Sequence, residues 1–76
     1  MRTRTPVARL WELAWDDQRL ACSIYRTGSA LELAVESRQA VILSEAFHFE
    51  PRALARIKAL REDLERRGWQ IPPTRP

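Results

Sequence analysis

One cysteine and one histidine, Cys22 and His48, are the only residues here with the makings of a thiol nucleophile and its base. Covalent catalysis of that kind needs the two within hydrogen-bond reach. Cys22 sits in "LACSIYR", where alternation turns it inward with Leu20 and Ile24, so the thiol reads as a small inert hydrophobe. His48 falls at the junction between a strand run and a helix, where a neutral imidazole is an ordinary occupant. One Cys and one His cannot assemble a structural zinc set, and neither Gly28 nor Gly68 belongs to a phosphate-cradling motif. No metal or cofactor is expected. Glu12, Glu32 and Glu36 fall on one face of the strands they occupy, but an exposed sheet face is not a cleft. A two-layer domain this small rarely encloses a pocket of the few hundred Å³, on the order of what a ligand site needs. The chain reads as a non-enzyme.

Binding chemistry has more to draw on. The net charge of +3 is unevenly spread. Residues 1–9 carry Arg2, Arg4 and Arg9; residues 10–50 set three arginines against seven acids; residues 51–76 set seven basic residues against three acids. Basic ends therefore flank an acidic middle. Phosphate binding favours one dominant sign along a face. The helix in "EPRALARIKALREDLERRGW" opens with Arg52, Arg56 and Lys58, but Glu62, Asp63 and Glu65 interrupt its second half. That mixture favours pairing at i,i+4, such as Glu62 with Arg66 and Asp63 with Arg67. A nucleic-acid surface would rest on Arg2, Arg4, Arg52 and Arg56, and it is the second reading. A sheet that enters the major groove needs outward Arg and Lys, whereas this one offers Glu12, Ser23, Tyr25, Glu32 and Glu36. The first reading is a protein-binding face of Glu12, Ala14, Ser23, Tyr25, Glu32 and Ala34, whose small residues would let a partner approach closely. Trp11 and Trp15 could stack bases, but they read as core, because the opposite parity would bury Glu12.

The elements that position these residues follow from period. From Leu10 to Phe47 the apolar residues recur at every second position, broken by "DDQ", "TGS" and "SRQ". Trp11, Leu13 and Trp15 face inward in the first run, Leu20, Cys22 and Ile24 in the second, and Leu31, Leu33 and Val35 in the third. The fourth run, "AVILSEAF", is ambiguous: Val41, Leu43 and Phe47 share a parity with Glu45, which a β-bulge would reconcile. Val41, Leu43 and Phe47 are placed inward. Pro51 then suits the start of a helix over 51–67, with Ala53, Ile57, Leu60 and Leu64 in one stripe and Gly68 as its left-handed cap.

Tight turns between successive strands predict an antiparallel meander. The fold expected is a two-layer α+β domain: four strands, or three if the last run fails, with a C-terminal helix packed on one face, order ββββα. Residues 1–8 form a flexible basic arm, 9–69 the single domain, and 70–76 a proline-rich flexible tail. This pattern, together with "FEPRALARIKALREDLERRGW", resembles small uncharacterised bacterial single-domain proteins with a β-meander and one helix ending in Gly-Trp. The resemblance implies an architecture and carries no site residues. A lone cysteine allows no intrachain disulfide, "WELAWDDQ" denies the N-terminus a signal-peptide core, and no apolar run approaches the roughly 20 residues that span a bilayer. A cytoplasmic protein-interaction or accessory module is expected, acting through the open sheet face or a strand edge. Its partner would be another protein or a second copy, with no membrane engaged.

Overall fold

Four strands and a helix follow one another along the chain: β1 Thr5–Trp15, β2 Gln18–Thr27, β3 Ala30–Glu36, β4 Val41–Phe47 and α1 Glu50–Arg66. They are seen in a computed structural model that describes residues 4–72. The strands pair antiparallel in the order β1-β2-β3-β4, which is the meander predicted by the turn spacing. Two hairpins close through two residues each. Asp16 takes φ 55 in the first, and Gly28 takes φ 59 in the second, the left-handed conformations such turns need. The third turn is tied by Ser37, whose Oγ accepts the N–H groups of Gln39 and Ala40 at 3.2 and 3.1 Å.

Cross-strand register sorts the side chains. Leu13 opposes Leu20, Trp11 opposes Cys22, Cys22 opposes Val35 and Ile24 opposes Leu33, so one face of the sheet is a continuous apolar surface. The helix lies on that face. Ile57 joins the buried cluster of Trp11, Leu13, Leu20, Cys22, Ile24, Leu33 and Val35, with Leu60, Leu64 and Trp69 packed against it. The Trp11 indole Nε1 donates to the Ile57 carbonyl at 3.3 Å, which ties β1 to the helix backbone. Each fully buried Leu is worth about 1.5–3 kcal/mol against exposure.

The helix ends as a Schellman motif. Gly68 takes φ 107, its N–H bonds the Glu65 carbonyl at 3.1 Å, and the Trp69 N–H bonds the Leu64 carbonyl at 3.1 Å. Trp69 is thereby turned back onto the core and meets Trp15 edge-on, with ring centroids 5.7 Å apart. Gln70 then exchanges two backbone hydrogen bonds with Ala14, at 2.7 and 2.9 Å.

Several expectations need correction. β1 begins at Thr5, not near Leu10, so residues 5–8 of the expected arm are strand. Two register shifts, after Pro6 and after Arg9, leave Val7 and Leu10 as extra residues and bring both Ala8 and Trp11 onto the core side. Bulges of this kind are invisible to strict alternation. The tail begins ordered, since Gln70 pairs with Ala14; residues 73–76 lie outside the described residues. Trp15 shares the inward parity but stays 52% exposed, because it stands at the strand's end with only Trp69 over it. Val41 is 51% exposed: a bulge between Leu43 and Val41 puts it opposite Glu36, on the open side. Leu43 and Phe47 do pack against the core. Glu45 keeps the inward parity, opposite Leu33, yet β4 is an edge strand and its carboxylate reaches the rim of the helix. There Arg56 grips it with two bonds, Nε to Oε1 at 3.0 Å and Nη2 to Oε2 at 3.1 Å.

Candidate partner-binding face

Among the described residues, no secondary-structure element covers the face turned away from the helix. Register places Glu12, Ala14, Arg19, Ala21, Ser23, Tyr25, Glu32, Ala34 and Glu36 there, all on one side of β1, β2 and β3. The residues singled out by alternation are therefore brought together. What alternation missed is the arginines that stand among them.

Arg4 precedes β1 and folds over the face. Its guanidinium lies 3.7 Å from the centroid of the Tyr25 ring, a cation–π distance. Its Nε reaches Glu32 Oε1 at 2.6 Å and its Nη2 reaches Glu36 Oε1 at 3.5 Å. The Tyr25 hydroxyl donates to the same Glu36 oxygen at 3.1 Å, and the Ser44 hydroxyl donates to Glu32 Oε2 at 3.0 Å. Glu32 Oε1 is shut off from solvent, and the Arg4 guanidinium meets its charge there. Beneath this cluster Ala34, flanked by Ser23 and Ser44, is fully buried. Ala34 was expected to lie open to a partner. Fully buried, it offers a partner no surface.

A second cluster occupies β1 and β2. Glu12 is held by Arg19 at 3.2 Å and by Arg9 at 3.7 Å. Among the described residues the two groups thus set three arginines against three glutamates, and their formal charges cancel. The face is not the acidic surface that Glu12, Glu32 and Glu36 suggest alone. Arg19 takes the outward parity by plain alternation beside Leu20, whereas Arg9 is turned outward only by the β1 bulges.

The residues of the nucleic-acid reading are scattered. Arg4 is bound to the sheet carboxylates, and Arg56 is clamped on Glu45 at the opposite side of the sheet. The hydrogen bonds and charge of Glu45 hold the Arg56 guanidinium above its ordinary pKa. Arg52, at the helix start, makes no ion pair among the described residues, and Arg2 lies outside them. Along the helix, Asp63 pairs with Arg67 at 3.0 Å as predicted, but Arg66 takes Asp63 at 3.3 Å and not Glu62.

Cys22 is completely buried, and burial pushes its thiol up to about 11. His48 is exposed at the strand-to-helix junction. Among the described residues no group of three or more His, Cys, Asp or Glu side chains is placed to hold a metal ion, and no helix is long and apolar enough to cross a membrane.

The sheet order and the helix define a small two-layer α+β domain of ββββα order. Comparison with protein families, with curated proteins and with solved structures finds no match to the chain.

Proposed function

We propose that this chain is a binding module without catalytic activity, and that it presents its open sheet face to a protein partner. The observation that carries the reading is the fixed polar arrangement on that face. Arg4, Tyr25, Glu32, Glu36 and Ser44 are held by one another. A surface ordered before it binds loses less rotamer freedom on association. Small neighbours, Ala21, Ser23 and Ala46, leave room beside the two charged clusters.

The strand edges support a partner site less well. On β1, Pro6 lacks an N–H, two bulges interrupt the ladder and Gln70 pairs with Ala14. On β4, a bulge follows Val41, and Glu45 points a charge inward. These are the features by which edge strands avoid adding another chain. The non-catalytic reading draws on Cys22, whose thiol is buried and held protonated, and on His48, which is exposed at the strand-to-helix junction and makes no hydrogen bond to it.

Retention of a partner from the native host by immobilised protein tests the proposal. Ala21→Arg and Ala46→Arg each place a long charged side chain on the face without touching its hydrogen bonds. Both should reduce retention strongly, while Ala59→Arg, on the exposed back of the helix, should leave it unchanged. Equal retention by all three would refute the assignment of the face. Nucleic-acid binding through Arg2, Arg4, Arg52 and Arg56 is the alternative, and it would have to break the Arg4 and Arg56 ion pairs. A mobility shift at low salt that weakens steeply with salt would favour that alternative.

A further inference from the structure

The two hairpin turns at one end of the sheet, Asp16–Asp17 and residues 37–40, flank the capped end of the helix. Between them lies an open depression of about 620 Å³. Its apolar wall is Leu20, Ile42 and Trp69, and its charged rim is Asp17, Arg19 and Arg38. None of these residues belongs to the open-face cluster except Arg19, whose Nη1 is held by Glu12.

Three observations set this depression apart from an ordinary surface hollow. Ile42 is 60% exposed, because the β4 bulge takes it out of register with β3. A large aliphatic side chain is thus placed at the depression without being covered. Trp69 is fixed from two sides, by the Schellman hydrogen bond from its N–H to Leu64 and by the Trp15 ring. Arg38, like Arg26 and Arg52, makes no ion pair with any described carboxylate, and of these three it alone lines the depression. The volume lies within the range of small-molecule sites, roughly 300–1,000 Å³.

We infer that this depression binds a small amphipathic monocarboxylate, its apolar body against Ile42 and Trp69 and its carboxylate on Arg38. The chemistry follows from the pairing of groups. A planar guanidinium without a partner recognises a carboxylate through two parallel N–H···O bonds. Arg19 is already neutralised by Glu12, so Arg38 is the one rim cation left to meet a carboxylate, and a single carboxylate is what it can satisfy. A single free guanidinium is a poor match for a polyphosphate. The apolar wall is too short for a membrane-sized surface but accommodates one alkyl or aryl group. The site is separate from the open face, so it stands whether or not that face binds a protein.

Octanoate is the probe, and ¹⁵N–¹H spectra of the full chain are the readout. Saturable shifts should be confined to Leu20, residues 37–42, and the Trp69 amide and indole. Octyl glucoside, with the same tail and no charge, should bind at least about tenfold more weakly, the fold-change expected from one charged hydrogen-bonded contact. Arg38→Gln, at an exposed turn position, should lose about the same factor for octanoate and nothing for octyl glucoside. Ile42→Ser should weaken both. Unperturbed resonances for Leu13, Leu33 and Ile57 would verify that each variant is folded. The proposal is overturned if octanoate produces no saturable shifts, if its shifts centre on Phe49 and Leu54, or if Arg38→Gln binds it as wild type does.

Discussion

Arg4 and Cys22 show how far a single side chain's meaning depends on what stands beside it. Read along the chain, Arg4 is one charge of a basic terminus. In the fold it is the counter-charge of Glu32 and Glu36. Cys22 is the reverse case, a residue with potential chemistry that burial silences. Its folded pKa, about 11, lies above the ordinary value of 9.0. Below 9.0 both folded and unfolded chains hold the proton, and the full stabilising contribution is present. Above 9.0 the unfolded thiol ionises first, so stability should fall as pH rises towards 11. Native protein should therefore resist thiol reagents at neutral pH, and labelling should follow unfolding. A Cys22→Ala variant should lose stability less steeply than wild type between pH 9.0 and about 11. Rapid labelling of the native state would show the thiol to be accessible and the strand's inward face misassigned.

At the scale of elements, α1, with Trp69 just past its end, covers the apolar face of the sheet. Ile57 is 6% exposed and touches the strand cluster, whereas Ala59 on the same helix is exposed. Ile57→Ala should cost about 2–5 kcal/mol and Ala59→Ser well under about 1 kcal/mol, measured by urea unfolding. Equal losses would mean that the helix is not seated on the sheet as described. β4 makes a separate case. Glu45 faces inward on an edge strand and is exposed enough to keep its solvation, so its pair with Arg56 contributes only about 0–1 kcal/mol. Glu45→Val should therefore change stability little and raise light scattering, because the edge loses its inward charge. A monodisperse Glu45→Val protein would remove edge protection from the role of that residue. The strand order, the helix and the glycine cap were legible in the sequence, since period and turn chemistry specify them locally. The bulges at Val7 and Leu10 were not, because an extra residue shows only against the partner strand; in β4 the parity clash raised a bulge, but its position at Ile42 shows only in the pairing with β3. The exposure of Val41 and the rim position of Glu45 follow from those same non-local facts.

For the molecule as a whole, a basic terminus and an acidic middle had suggested two opposed binding sites. Folding brings parts of both onto one surface, where Arg4, Arg9 and Arg19 stand among Glu12, Glu32 and Glu36. The membership of the face was readable from alternation. Its neutrality was not, because Arg4 lies 28 residues from Glu32 in sequence and their contact depends on β1 starting at Thr5. Ala34 stands between Ser23 and Ser44 of the neighbouring strands and is fully buried, which its outward parity did not indicate. The surplus positive charge is left elsewhere, at sites such as Arg26, Arg52 and Lys58, which form no ion pair among the described residues. The central claim is that Arg4 and the β3 carboxylates form one closed cluster on the open face. A double-mutant cycle of Arg4→Ala and Glu32→Gln, read by urea unfolding at low salt, tests it most directly. The fold described here predicts a coupling of about 0.5–1 kcal/mol that shrinks as salt is added. Strictly additive single-variant effects, unchanged by salt, would show that Arg4 does not rest on Glu32 and that the face is acidic after all.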